Sequence, residues 1–191
     1  MLESHPTLRF RDIARFKSTD PWPSPESAIL HFTYNARGAI YQLLRSLTAG
    51  QGKTVLLPAF HCYAAVEPVV RAGYRPLFYR IREDLSLDQE DLCAKLAGDV
   101  AAVLVIHYCG FPADLNELIE QKKYHKFLII EDWAHSFLEN KQGTLTGGKG
   151  DVSIFSFYKL VPRYAGGFLG LVLPGRGRPG MDRRVSRKRC A

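Results

Sequence analysis

Long hydrophobic runs are missing from this chain of 191 residues. The longest, AAVLVI and FLII, fall far short of the roughly 20 residues that a membrane-spanning helix needs, so no membrane segment is expected. Apolar content is nevertheless ample, at 46% of residues, enough for one globular domain with a sizeable core. Cysteine is scarce: Cys62, Cys93, Cys109 and Cys190 are scattered without a C-x-x-C pair, which disfavours a zinc site and a disulfide framework. That pattern fits a reducing, cytoplasmic setting. The opening MLESHPTLRFRD carries charges where a secretory signal would be apolar, so no export signal is expected. Repeats at a solenoid period are absent too. Acidic residues are almost lacking from residues 175–191, GRGRPGMDRRVSRKRCA, where seven Lys/Arg face a single Asp. Most of the formal charge of +7 therefore belongs to a Gly- and Arg-rich tail, expected to be disordered. The body has no basic face with interleaved aromatics, so specific nucleic-acid binding is not expected.

What is present is a regular rhythm. It follows an extended N-terminal segment, residues 1–34, that contains PWPSP. ARGAIYQLLRSL places Ile40, Leu43, Leu44 and Leu47 at helical spacing, with Gly50 and Gly52 beyond its end. TVLLP is a short buried strand stopped by Pro58. HCYAAVEPVVRAG has helical composition and is closed by Gly73, with a kink expected at Pro68. RPLFYRI suits a pleated, packed surface. Then come DQEDLCAKLAG as helix, AAVLVIH as strand, ADLNELIEQKKYH as amphipathic helix and FLIIED as strand. The turn-rich NKQGTLTGGKG precedes two last strands, VSIFSF and GGFLGLVLP. Strands separated by crossover-length helices predict an α/β domain over residues 35–174, a mostly parallel sheet flanked by helices. The final pair has no helix between its members, which predicts that the sixth strand runs antiparallel at or near an edge.

Several residues carry candidate chemistry. GTLTGGKG nearly matches a phosphate-binding P-loop, but Gly150 stands where the magnesium-binding Ser/Thr belongs and a strand follows instead of a helix. A glycine-rich turn is the better reading, and no metal site is expected. Asp132 lies at the carboxyl end of a strand, where a carboxylate is either a helix cap or a functional acid aimed into the crevice. Glu131 and Asp132 must point to opposite faces, so only one can serve a site. His135 is open to a structural or a ligand-binding reading. Lys159, in FSFYKLVPRYAGG, either lays its stem on apolar surface with its amine in water or meets a ligand at the sheet edge. His107 and Tyr108, then Asp132, then Ser156 to Lys159 all fall at strand ends on one predicted edge. A carboxylate, a hydroxyl and an amine there suit a cofactor with a ring nitrogen, a phosphate and an aldehyde; pyridoxal 5'-phosphate has all three.

The motifs ARGAIYQLL, LLPAFHC, AGYRPLFYRI, VIHYCGFPADL, LIIEDWAHS and GDVSIFSFYKLVP, in that order over roughly residues 30 to 173, resemble the DegT/DnrJ/EryC1/StrS aminotransferase family. The resemblance implies the large domain of a fold-type I pyridoxal-phosphate enzyme. It further implies that Lys159 bonds the cofactor as the internal aldimine and shuttles a proton, and that Asp132 pairs with the ring nitrogen. His135 would lie beside the ring's phenolic oxygen. Arg37, Gly38 and Ser156 would hold the phosphate at a helix N-terminus, with His61 over the ring face. Small-molecule amino donor and keto acceptor, with a nucleotide-linked sugar as one candidate acceptor, and a homodimer are the implied partners.

This sequence also departs from the family pattern. Lys159 stands three residues after Ser156, matching a subgroup with serine, two residues, lysine, two residues, proline, whereas the best-known sugar enzymes have their lysine where Val161 stands here. Ala165 replaces an acid before the final glycine pair, and Cys62 occupies the place of a ring-stacking aromatic. Family members continue well beyond the GGFLGLVL strand into a small domain, so the expectation is a chain truncated before that domain. The alternative reading is then an inactive remnant that dimerises or binds.

Overall fold

The computed structural model describes residues 33–47, 53–135, 149–156 and 172–174. The N-terminal segment up to residue 32, the basic tail and Lys159 lie outside them.

Six strands form one sheet: β1 (Thr54–Pro58), β2 (Arg75–Tyr79), β3 (Val100–Ile106), β4 (Leu128–Asp132), β5 (Val152–Ile154) and β6 (Val172–Pro174). Their order is β2-β1-β3-β4-β5-β6. All pairings through β5 are parallel, and β6 runs antiparallel to β5 at the edge, as the missing last crossover predicted. The helices are α1 (Ala36–Ser46), α2 (Tyr63–Arg71), α3 (Gln89–Leu96) and α4 (Asn116–Gln121).

Alternation along the strands divides the core between two faces. On one, Val55, Leu57, Ala102, Leu104, Ile130, Val152 and Ile154 pack under Ala39, Ile40, Leu43 and Leu44 of α1 and Ala65 and Val69 of α2. On the other, Leu56, Val103, Val105 and Ile129 pack under Leu92 and Leu96 of α3 and Leu118 of α4. Each fully buried Val, Leu or Ile among them contributes about 1.5–3 kcal/mol from removal of apolar surface from water. Tyr79 is fully buried on this second face, and its hydroxyl donates to Leu104 O at 2.9 Å.

Local signals set the helix ends. Asn35 caps α1, its side chain accepting from Gly38 N at 2.7 Å, and Asp88 caps α3 through Asp91 N at 3.1 Å. The second helix continues through the buried Pro68 to Arg71. The fourth is shorter than its amphipathic pattern suggested: Asp114 Oδ1 accepts from Asn116 N at 3.0 Å, a local bond that competes with an earlier helical start. Because five strands are parallel, Pro58, Ile106, Asp132 and Ile154 all end at one edge of the sheet.

Candidate active site

At that edge, between the strand ends and the first turns of α1 and α2, lies a cavity of about 590 Å³. Its walls include Arg37 from α1, His61 from the segment after β1, Tyr108 after β3, Asp132 and His135 at and after β4, and Ser156 after β5. Five residues chosen from the sequence, Arg37, His61, Asp132, His135 and Ser156, thus meet around one space. Such a volume at the carboxyl ends of parallel strands suits a cofactor-sized ligand.

Asp132 is not a helix cap among the described residues: its Oδ1 accepts from Ala134 N at 2.8 Å, fixing the turn after β4, and the residue lines the cavity. Ser156 is buried and His135 exposed. His61 is held by its Nδ1 bond to Pro58 O at 2.6 Å and stacks on Phe78 with a ring separation of 5.1 Å. One face of the imidazole is thereby committed to Phe78.

The first turn of α1 is more occupied than the sequence suggested. Arg37 Nη1 is 2.7 Å from Glu67 Oε2, and Arg71 approaches the other oxygen of the same carboxylate at 3.4 Å. Hydrogen bonding from Arg37 outweighs the upward pull of burial and holds the Glu67 carboxyl below its ordinary range. Gly38 lines an adjoining depression of about 700 Å³ with Arg37, Glu67 and Arg71, and its N–H is given to Asn35.

Some wall residues were not singled out as site residues from the sequence. Tyr108 donates its hydroxyl to Phe60 O, and the two rings sit 5.6 Å apart at a tilt of 36°. Burial, reinforced by the charge of Asp132, pushes the Tyr108 phenol up to about 12. Its position at the end of β3 was legible; its partner, 48 residues earlier, was not.

Behind the cavity, on the opposite face, is a buried polar network. Glu131 Oε1 accepts from Gly150 N at 2.7 Å and Ser153 Oγ at 3.2 Å, while Oε2 lies 3.1 Å from His107 Nε2. His107 Nδ1 accepts from Ala113 N at 2.9 Å, so the ring's proton is on Nε2 and is donated to Glu131. Burial raises the Glu131 carboxyl, but the bonds from His107, Gly150 and Ser153 outweigh it and leave the group below its ordinary range. Gly150, the residue that spoils the P-loop match, has its own reason to be glycine: a Cβ there would lie 2.9 Å from Ile129 O and 3.0 Å from Glu131 Cγ. Among the described residues no group of three or more His, Cys, Asp or Glu is arranged to hold a metal ion.

The family model of the DegT/DnrJ/EryC1/StrS aminotransferases matches residues 31–167. The chain belongs to that family. Its similarity to a GDP-perosamine synthase of Vibrio cholerae is 32% identity over 125 residues, covering 65% of this chain and 34% of the relative. A UDP-N-acetyl-3-dehydro-alpha-D-glucosamine 3-aminotransferase of Acidithiobacillus ferrooxidans is 28% identical over 77% of this chain and 41% of its own length. Among solved structures, DesV of S. venezuelae, in complex with a ketimine intermediate, superposes with a TM-score of 0.65 at 28% identity, covering 76% of this chain and 40% of that one. A Streptococcus pneumoniae chain solved in its PLP form shares the fold, with a TM-score of 0.67 at 21% identity, covering 82% of this chain and 44% of that one. The fold is the large domain of these aminotransferases, a mostly parallel sheet flanked by helices, as the ordered motifs implied. The chain's match spans 34% of the length of three of its curated relatives and 41% of a fourth.

Proposed function

We propose that this chain binds pyridoxal 5'-phosphate in the cavity at the carboxyl edge of the sheet and serves amino-group transfer from a small amino donor to a keto group. The observation that carries the reading is the convergence of Arg37, His61, Asp132, His135 and Ser156 on that one cavity, although they are spread over 120 positions of sequence. The residues fit the group: an acid at the strand end, a buried hydroxyl after β5, and a helix N-terminus on the facing wall.

When bound, pyridoxal phosphate supplies an electron sink for the carbon that carries the amino group. Asp132 holds a proton at the ring nitrogen. Ser156 and the first turn of α1 orient the phosphate. Arg37 and Gly38 join them by exchanging their present bonds to Glu67 and Asn35. His135 would lie beside the phenolic oxygen, and His61 would bound the ring face. Lys159, outside the described residues, would supply the amine that takes a proton from the donor's Cα and delivers it to the cofactor's C4′, a role that suits an amine whose pKa is depressed by burial or a neighbouring cation. A keto group on a nucleotide-linked sugar is the acceptor class favoured by the names of the curated relatives. Assembly as a homodimer and a cytoplasmic location complete the reading; among the described residues no helix is long and apolar enough to cross a membrane.

The test is a half-reaction. Protein loaded with pyridoxal phosphate is mixed with glutamate, and both visible absorbance and 2-oxoglutarate are followed. The expected result is a spectral change with one oxoacid formed per bound cofactor. Cofactor absorbance without oxoacid indicates a binding module, and absence of bound cofactor overturns the proposal.

A further inference from the structure

Why does this sheet bury a carboxylate directly beside Asp132? Glu131 is 1% exposed, as is His107, and Ser153 is fully buried. Sequestering such a group is costly unless every oxygen is satisfied, and a well-packed apolar replacement is often as stable or more so. Stability alone is therefore a weak reason for it. Its connections suggest another. The carboxylate bonds His107 from the end of β3, Gly150 from the segment leading into β5, and Ser153 from β5 itself.

His107 then grips the chain on both sides of Asp132. Its backbone N–H donates to Asp132 O at 3.0 Å. Its side chain bonds Glu131, the residue before, and its ring stacks on Trp133, the residue after, with centroids 3.5 Å apart and planes within 17°. The bond from Ala113 N to Nδ1 fixes the ring in turn. On the β5 side, Glu131 is register partner to Ser153 and Asp132 to Ile154, two residues before Ser156. One carboxylate thus ties together the strand ends that bear Asp132 and Ser156.

We propose that the buried Glu131–His107 pair is a positioning device for the cavity, holding Asp132 at the angle from which it engages a ligand's ring nitrogen. This rests on the reading of Asp132 given above. Neither residue touches the ligand; both act through Asp132. A glutamine at 131 cannot substitute. With its amide NH2 toward His107, donor faces donor unless the imidazole moves its proton to Nδ1, and then Nδ1–H opposes Ala113 N–H. With the amide reversed, the NH2 opposes Gly150 N–H.

The test compares the affinity of the chain for pyridoxal phosphate with that for its analogue carrying carbon in place of the ring nitrogen, both by fluorescence titration. The ratio isolates the ring-nitrogen contact, whereas general loosening of the fold weakens both ligands alike. Asp132→Asn should bring the ratio close to one. Glu131→Gln should reduce it about tenfold, the scale of one charged hydrogen bond, with analogue affinity changed less than twofold. Ser153→Ala, a milder change in case Glu131→Gln does not fold, should reduce it about threefold on the scale of one neutral bond. A native ratio in both network variants, alongside a lowered melting temperature, overturns the positioning role. A native ratio in Asp132→Asn overturns the ring-nitrogen reading instead, and this inference with it.

Discussion

Tyr108 shows how one side chain links core and cavity. Its phenol is raised from 10.0 to about 12 by burial and by Asp132, so the folded state keeps a proton that the unfolded state releases. The stabilising share is full below pH 10 and is lost as pH rises from about 10 through 12. Tyr108→Phe should flatten that part of the stability profile, measured as urea midpoints between pH 9 and 11.5, and at pH 7 should cost about 1 kcal/mol for the lost bond to Phe60. Glu131 behaves oppositely. Its folded pKa lies below the ordinary value of 4.5, so its contribution is present above that value and disappears as pH falls through the folded pKa. Glu131→Gln should make the acid limb of the midpoint-against-pH curve shallower. At this scale the sequence was legible only in part. Strand alternation showed that Glu131 and Asp132 face opposite ways, and a strand end marked Tyr108. That Gly150 and Ser153 satisfy Glu131, or that Phe60 accepts from Tyr108, depends on which strands become neighbours, which no local pattern states.

At the scale of elements, agreement between sequence and structure follows from period. Among the described residues, six strands and four helices stand where apolar spacing placed them, and the antiparallel edge strand followed from the absent crossover helix. Boundaries moved where side chains competed for backbone donors, as at Asp114 before α4. The first turn of α1 was the other surprise: Asn35 takes the Gly38 N–H and Glu67 takes Arg37, both contacts of partners that the sequence reading did not connect. Asn35→Ala should destabilise the protein by about 1 kcal/mol through loss of the cap, read as a shift of the urea midpoint. The approach to β5 is less forgiving. Gly150→Ala would press a methyl against Ile129 O and the Glu131 side chain, at about 1–3 kcal/mol. Gly98→Ala, where the nearest atom to the new methyl is Lys95 O at 3.7 Å, should stay within about 0.5 kcal/mol. Equal effects of the two alanines would contradict the packing argument.

For the whole molecule, a parallel sheet gathers strand ends at one edge, and this chain spends polar residues there: Tyr108, Asp132, Ser156 and, facing them, Arg37. Among the described residues the two faces of the sheet are mainly apolar, and the Glu131 network joins the strands that carry the acid and the hydroxyl. On the function proposed above, the cavity is the place of the cofactor and its polar edge supplies the residues that hold it. The claim on which the rest depends is that a lysine amine meets the cofactor's aldehyde in that cavity. Borohydride reduction of the protein with stoichiometric pyridoxal phosphate, followed by peptide mass mapping, tests it directly. The account predicts one pyridoxyl group on Lys159, undiminished by competing free lysine and abolished in Lys159→Ala. Label distributed over surface lysines such as Lys53, Lys123 and Lys126, and unchanged in that variant, would contradict it.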